Sequence, residues 1–284
     1  YTFGCGQQGQ LGRVGERQSE RSSKGGSLAT LLTPTAVAGL SRKRGGRKIV
    51  DIACGSYHTI AIGAAGDVFA WGLNNYGQLS LPADTTCYFA PEAAKKLKGA
   101  SKVAGGQHHS LALDASGTLV SFGRPTYGRL GQDGAAVSSD EACPDPKPVS
   151  GIEAGLKVES FDAGIAVSGL CADNGRVYVW GCNSSYQLAK GDEDEDELLP
   201  AIIKETKAFN NNFCTQVSFG GQHTVLLGYQ KDKKPEAEKK PEPAPAPVPA
   251  PVPAPTPVPE PVAVPELVPE PVAVPELVPE PVAV

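Results

Sequence analysis

An internal repeat of about fifty residues constrains the fold of this chain more than any other feature. Three copies span residues 49–79, 103–131 and 158–188. Each copy contains an aromatic residue followed by glycine, at Trp71-Gly72, Phe122-Gly123 and Trp180-Gly181. Fourteen residues before these glycines stand His58, His109 and Val167. The spacing is constant inside each copy while the connections between copies vary, which is typical of a repeat architecture.

The pattern inside each copy predicts short β-strands joined by tight turns. In the first copy, two alternating apolar stretches at residues 59–62 and 68–71 are separated by a turn at Gly66 and Asp67. Period-two patterning with such turns indicates antiparallel strands. Units of this size built from short antiparallel strands are typical of propeller blades. We therefore predict an all-β propeller, with helical spacing confined to residues 91–97 in a connecting loop.

The two ends of the repeat array each match half a unit. Residues 1–13 align with the second half of a copy, and residues 216–227 align with the first half. The halves either complete each other in a small four-bladed ring, or they are open ends of a larger ring. We favour the second alternative. Because the sequence starts inside a repeat and has no Met, we expect its recorded start to be a truncation.

Composition divides the chain into two regions, residues 1–230 and 231–284. The second region holds 18 of the 26 prolines and ends in a repeated VPELVPEPVA motif. Proline at nearly every second position favours an extended polyproline II form over a packed domain. We predict a disordered proline-rich tail that acts as a semi-rigid spacer, with binding to an adaptor domain as the alternative.

Charge and cysteine content exclude several classes of function. The 26 basic and 31 acidic residues give a net charge of −5, which argues against a general polyanion binder and leaves room for local basic patches. The seven cysteines never form a Cys-x-x-Cys motif, so the sequence predicts neither a zinc site nor a disulfide framework. We also expect no other metal and no cofactor. No apolar run approaches the roughly 18 residues of a membrane span, so we expect no membrane partner.

Five motifs occurring in one order resemble the regulator of chromosome condensation family over about residues 1–232. The motifs are GCGQQGQLGRV near the start, GGQHH, YGRLG, NSSYQLAKGDEDE and SFGGQHTVLL. The resemblance is to the C-terminal portion of the family's seven-bladed propeller and implies that about four of seven blades are present as a partial ring. It further implies a nuclear, chromatin-associated guanine-nucleotide exchange factor for the small GTPase Ran. A chromatin-binding protein or interaction scaffold without exchange activity is the alternative.

The resemblance also implies Arg13, His108 and His223 as residues for binding the GTPase, with an ordinary exposed loop cation as the alternative for Arg13. Asn75 is a further candidate for this surface, with a turn-forming asparagine as the alternative. His108 is the residue left over when GGQHH is aligned with the other copies, although His109 remains a rival for its role. The repeat histidines His58, His109 and His223 are expected to form hydrogen bonds within their own blades. We expect the contact surface on loops that precede the inner strands, and the resemblance implies that its acidic residues belong to earlier blades.

Two basic loops suggest contacts with the nucleosome. The resemblance implies that the loop at residues 13–27 reaches the acidic patch of the core histones, with Arg17, Arg21 and Lys24 as the available cations. A second loop has five cations in eight residues and is expected to contact nucleosomal DNA phosphates, through Arg42, Lys43, Arg44, Arg47 and Lys48. An ordinary solvated loop is the alternative in both cases.

Overall fold

Three four-stranded antiparallel sheets follow one another along the chain, and each contains one copy of the repeat. In the computed structural model, the first sheet contains β1 (Ile49–Cys54), β2 (His58–Gly63), β3 (Val68–Leu73) and β4 (Cys87–Ala93). The second contains β5 (Lys102–Gly105), β6 (His109–Leu113), β7 (Leu119–Gly123) and β8 (Cys143–Pro148). The third contains β9 (Val158–Ala163), β10 (Val167–Ala172), β11 (Val177–Gly181) and β12 (Glu197–Ile202). The all-β prediction is confirmed.

The structure describes residues 1–15, 29–40, 47–134, 140–192, 194–204, 206 and 209–233. These residues belong to one unit, Tyr1–Glu236. Its last sheet has two strands, β13 (Asn212–Phe219) and β14 (Thr224–Gln230). A one-turn helix, α1 (Ala29–Leu32), and three 3₁₀ turns complete the described elements: Lys95–Leu97, Thr126–Gly128 and Lys231–Lys233. Within these ranges, none of the helices has the length and apolar composition needed to cross a bilayer.

The fourteen-residue spacing of the repeat corresponds to the pairing register of the central hairpin. His58 lies opposite Gly72, His109 lies opposite Gly123, and Val167 lies opposite Gly181. A Cβ atom on Gly72 would lie 2.4 Å from the carbonyl oxygen of Tyr57, and its φ of +107° suits only glycine. The aromatic-Gly pair therefore marks the point where the third strand passes against the start of the second.

The sheets pack side by side through their first strands, as the blades of a propeller do. β1 contacts β5, β5 contacts β9, and β9 contacts β13. Separate apolar clusters fill the spaces between successive sheets, for example around Phe122 between the first and second and around Trp180 between the second and third. The middle strands β2 and β3 are buried along their whole length, because the second sheet packs against one of their faces and the first half-unit lies against the other.

A repeated hydrogen bond connects each unit to the one before it. The hydroxyl after the repeat histidine position donates to a backbone carbonyl of the preceding unit: Thr59 to Gln10 (3.0 Å), Ser110 to Gln78 (2.8 Å), Ser168 to Arg129 (2.9 Å) and Thr224 to Gln187 (2.6 Å). The repeat histidines join the same contacts, since Nε2 of His58 and of His109 lies 2.8 Å from Oγ of Ser110 and Ser168. The expectation of bonds within one blade is therefore wrong for His58 and His109.

The half-units at the two ends remain separate in the structure. Thr2 forms an isolated antiparallel bridge with Thr35, and among the described strands β14 pairs only with β13. Among the residues that the structure describes, the two half-units therefore do not complete a small closed ring. A largely apolar cavity of about 710 Å³ lies between the first half-unit and the first sheet, lined in part by Phe3, Leu11 and Trp71.

The helix expected at residues 91–97 is wrong. β4 continues to Ala93, and only Lys95–Leu97 form a 3₁₀ turn. Pro91 is compatible with β4 because this strand is at the outer edge of its sheet, where one row of backbone groups needs no partner strand. Leu97, which is buried, anchors the turn against the core between the first two sheets.

Candidate functional site

The predicted GTPase-binding residues Asn75 and His108 lie in loops at the same end of neighbouring sheets. His108 lies between β5 and β6, and Asn75 lies between β3 and β4. In an antiparallel sheet, loops after the first and third strands lie at one end, and the loop that leads into the next first strand lies at the other. The sequence predicts the contact surface on loops that precede the inner strands, which are the first strands of the sheets. This prediction is wrong for the loops that carry Asn75 and His108, because these loops lie at the other end of the sheets.

The His108 ring is half-buried between two tyrosines from the neighbouring sheet. It stacks on Tyr57 with ring centroids 5.6 Å apart and forms a T-shaped contact with Tyr76, with ring centroids 5.3 Å apart. Its Nδ1 atom is buried and has no hydrogen-bond partner among the described residues. The two sheets thus jointly hold an imidazole in a fixed orientation at the loop surface.

His108 is neutral at physiological pH. The pKa of its imidazole is lowered to about 4, chiefly by burial and then by the nearby positive charges of Arg124 and Arg129, while Asp140 acts in the opposite direction. Desolvation disfavours the charged imidazolium, and neighbouring guanidinium groups repel it. The imidazole is therefore available as a neutral hydrogen-bonding group.

An ion pair lies directly beside His108. Arg124 donates from Nε to Oδ1 of Asp140 at 2.7 Å and from Nη2 to Oδ2 at 2.8 Å. Its guanidinium lies over the ring of Tyr76, 4.8 Å from the centroid, and its backbone N–H donates to the carbonyl of His108 at 2.9 Å. The hydrogen bond with Asp140 raises the pKa of Arg124, and the same bond lowers that of Asp140, so both groups remain charged.

A second arginine, Arg129, lies beneath the same surface. It donates to the carbonyl and hydroxyl oxygens of Thr126 at 2.8 and 3.1 Å and lies under the ring of the exposed Tyr127. Burial lowers the pKa of Arg129 to about 10, with the charge of Arg124 as the next cause. Within the described part of the chain it forms no salt bridge, and the carboxylate of Asp140 acts on it only from beyond ion-pair distance.

These neighbours of His108 were missed from the sequence, although two weak signals existed. Arg129 stands where the other copies have Gln78 and Gln187, and it thus departs from the repeat in the same way as His108. Arg124 follows the aromatic-Gly pair, where the other copies have Leu73 and Cys182. A loop residue whose type differs from that at the same position in the other copies is a candidate for function, because the packing shared by all copies does not account for the difference.

Asn75, Arg13 and His223 have different surroundings. Asn75 is exposed and its Oδ1 accepts a hydrogen bond from Gln78 at 3.0 Å, so it also supports its own turn. Arg13 lies in the first half-unit, where its guanidinium donates to the carbonyl oxygens of Thr2 and Thr33. The structure brings Asn75 next to His108 through Tyr76, whereas Arg13 belongs to another unit.

His223 occupies the register of His109 and not that of His108. The backbone N–H of Gly220 donates to the carbonyl of His223 as that of Gly106 does to His109. Unlike the buried His109, His223 is exposed, because it lies in the last half-unit. His108 and His223 each end a GGQH motif, but they do not occupy equivalent positions in their sheets. The two motifs are offset by one residue relative to the strand register.

The basic loops lie mostly outside the described residues. This applies to the predicted histone-binding residues Arg17, Arg21 and Lys24, and to Arg42, Lys43 and Arg44 of the DNA-binding set. Arg47 is exposed, pairs with Asp67 at 3.0 Å and lies over Phe69, and Lys48 is exposed beside it. No group of three or more metal-ligating side chains is found in the portion of the chain that the structure describes.

Known proteins with this arrangement are found by both sequence and structure. A family model for the RCC1-like domain matches residues 1–226. The human protein Regulator of chromosome condensation is 40% identical over 239 residues, which cover 82% of this chain and 54% of the human protein. The Ultraviolet-B receptor UVR8 of Arabidopsis thaliana is 31% identical, with coverage of 80% of this chain and 46% of the receptor.

A solved structure of Prp20p from Saccharomyces cerevisiae superposes with a TM-score of 0.65 and 28% identity, covering 80% of this chain and 51% of that one. The chain spans about half the length of the regulator of chromosome condensation proteins that it matches. With a matching family model over most of its repeats and this degree of identity, the chain belongs to the regulator of chromosome condensation family of RCC1-like domain proteins.

Proposed function

We propose that this protein is a guanine-nucleotide exchange factor for the small GTPase Ran and that it works in the nucleus, docked on chromatin. The proposal rests mainly on the 40% identity between the repeats of this chain and human Regulator of chromosome condensation. Prp20p, whose structure superposes on this chain, was studied for its binding to Gsp1p and histones, which supports both kinds of partner.

Exchange requires no covalent chemistry from the protein. A factor of this kind binds the nucleotide-free GTPase more tightly than the nucleotide-bound form, and this difference accelerates release. The neutral imidazole of His108, set between Tyr57 and Tyr76, is the proposed centre of the contact. Tyrosine and arginine are the side chains that most often dominate binding energy at protein interfaces, and both surround it. Asn75, Arg13 and His223 are proposed as further contacts.

The proposed chromatin contacts divide between histone and DNA. Arg17, Arg21 and Lys24 would pair with acidic histone side chains, a task that suits the planar fork of arginine. The cluster from Arg42 to Lys48 would neutralise DNA phosphates without reading bases. The proline-rich tail would act as a spacer or as the ligand of an adaptor domain.

The test is the release of a fluorescent GDP analogue from Ran. We expect the protein to accelerate release, and His108→Ala and His223→Ala each to lower the rate by about tenfold, the loss typical of a central interface residue. Lys98→Ala is the matched control, because Lys98 is exposed and has no side-chain hydrogen bond or ion pair within the described ranges. Unchanged rates in both histidine variants would remove these site assignments.

Histone binding distinguishes the alternative function. A protein that binds nucleosomes but leaves GDP release at its intrinsic rate would be a chromatin-binding scaffold without exchange activity. Arg17→Ala, Arg21→Ala and Lys24→Ala should weaken the binding of nucleosomes in either case.

A further inference from the structure

The surface around His108 has an excess of positive charge. Two guanidinium groups, those of Arg124 and Arg129, face a single carboxylate, that of Asp140. The imidazole of His108 adds no charge at neutral pH, because burial lowers its pKa. Among the charged groups that act directly on one another beside His108, the two guanidinium groups therefore outnumber the carboxylate, and this position favours an anionic group.

Arg124 is the cation that an incoming group can reach. Its side chain is 24% exposed, whereas Arg129 is almost completely buried. The ring of Tyr76 packs against one face of the Arg124 guanidinium. The backbone of Arg124 is fixed as well, because its N–H donates to the carbonyl of His108. A planar guanidinium held in this way is preorganised for two parallel hydrogen bonds to one carboxylate.

Asp140 already accepts two parallel hydrogen bonds from the guanidinium of Arg124, but its side chain is only loosely held. Both of its oxygen atoms accept from Arg124, yet more than half of its side chain is exposed to solvent. Exposed ion pairs contribute little to stability, because water solvates both partners well when they separate. Replacing Asp140 by another carboxylate of similar geometry therefore costs little.

We propose that Arg124 receives a carboxylate from an acidic segment of the protein partner, and that Asp140 occupies this position until the partner binds. The inference rests on the proposed function, since it concerns the same face, and it assigns the chemistry of the partner at that face. Asp140 thus acts as an internal competitor that lowers the affinity for acidic segments and excludes weaker anions.

The first test uses the full chain and a fluorescent hexaglutamate peptide, with hexaglutamine as the neutral probe. Asp140→Asn keeps the shape of the side chain and removes its charge, and it should raise the affinity for hexaglutamate about fivefold, the ratio expected of an exposed ion pair. Adding Arg124→Gln should abolish that gain, and Arg124→Lys should restore only part of it, because lysine lacks the planar fork.

A comparable ion pair elsewhere provides the control. Arg176 and Glu153 form an exposed pair at 2.5 Å in the third repeat, away from the tyrosines around His108. Glu153→Gln should leave the affinity for hexaglutamate unchanged. Equal effects of Asp140→Asn and Glu153→Gln, or a gain that survives Arg124→Gln, would overturn the proposal.

The second test repeats the series with nucleotide-free Ran and separates this inference from the proposed function. Arg124-dependent binding of hexaglutamate without accelerated GDP release would support the inference and contradict the exchange function. Accelerated release with no effect of Asp140→Asn or Arg124→Gln on either probe would support the exchange function and overturn the inference.

Discussion

At the scale of single residues, the buried histidines connect neighbouring blades. Oγ of Ser110 donates to the carbonyl of Gln78, so it accepts from Nε2 of His58, which must carry the proton. His109 makes the same arrangement with Ser168. Burial lowers the pKa of His58 to about 3 and that of His109 well below its ordinary value, and both are neutral in the folded state.

This arrangement predicts that acid weakens the fold in a defined range. The folded pKa values lie below the unfolded value of about 6.5, so the unfolded chain binds protons first as the pH falls. The free energy of unfolding should drop by about 3 kcal/mol between pH 7.5 and 5.5 from His58 and His109 together, since each unfolded histidine gains nearly one proton. Denaturant unfolding at several pH values measures this change.

The control for the acid prediction is His58→Gln, which removes one of the two buried titrating groups. Its loss of stability between pH 7.5 and 5.5 should be smaller than that of the wild type by about 1.4 kcal/mol, the contribution of one histidine, although its stability at pH 7.5 is lower. A stability that does not change between pH 7.5 and 5.5 would contradict the assignment of neutral buried histidines.

At the scale of elements, the hydroxyl after each repeat histidine position holds one blade to the next. Ser110→Ala would leave both Nε2 of His58 and the carbonyl of Gln78 without their partner. Because unpaired buried polar groups are costly, we expect a loss of about 2 to 4 kcal/mol in the free energy of unfolding. Ser116→Ala, at an exposed turn, should cost less than about 1 kcal/mol.

Calorimetry or denaturant unfolding of the two serine variants checks this prediction. Similar small losses for Ser110→Ala and Ser116→Ala would mean that the contact between blades contributes little to stability.

The sequence predicts the central hairpins well and the outer strands poorly. The spacing from His58 to Gly72 corresponds to a true pairing, because that hairpin is buried and its residues are constrained by packing. β4 and β8 form the outer edges of their sheets, contain proline and are only partly buried, so no apolar pattern marks them. The same absence of a pattern led to the wrong helix at residues 91–97.

At the scale of the whole molecule, the candidate site arises from contacts between units. His108 was found because it does not fit the repeat, but its partners Tyr57, Tyr76 and Asp140 come from other loops and have no common spacing. The packing of the first sheet beside the second brings the two tyrosines to His108, whereas Asp140 comes from another loop of the sheet that carries His108. A net charge of −5 also conceals the local excess of positive charge at Arg124 and Arg129.

The central claim is that the face carrying His108 binds the Ran GTPase. Hydrogen–deuterium exchange of the full chain, alone and with nucleotide-free Ran, tests it most directly. The account predicts protection of backbone amides in the loops at residues 55–57, 74–76, 106–108 and 124–128. Protection confined to the opposite loops, at residues 64–67 and 114–118, would contradict it.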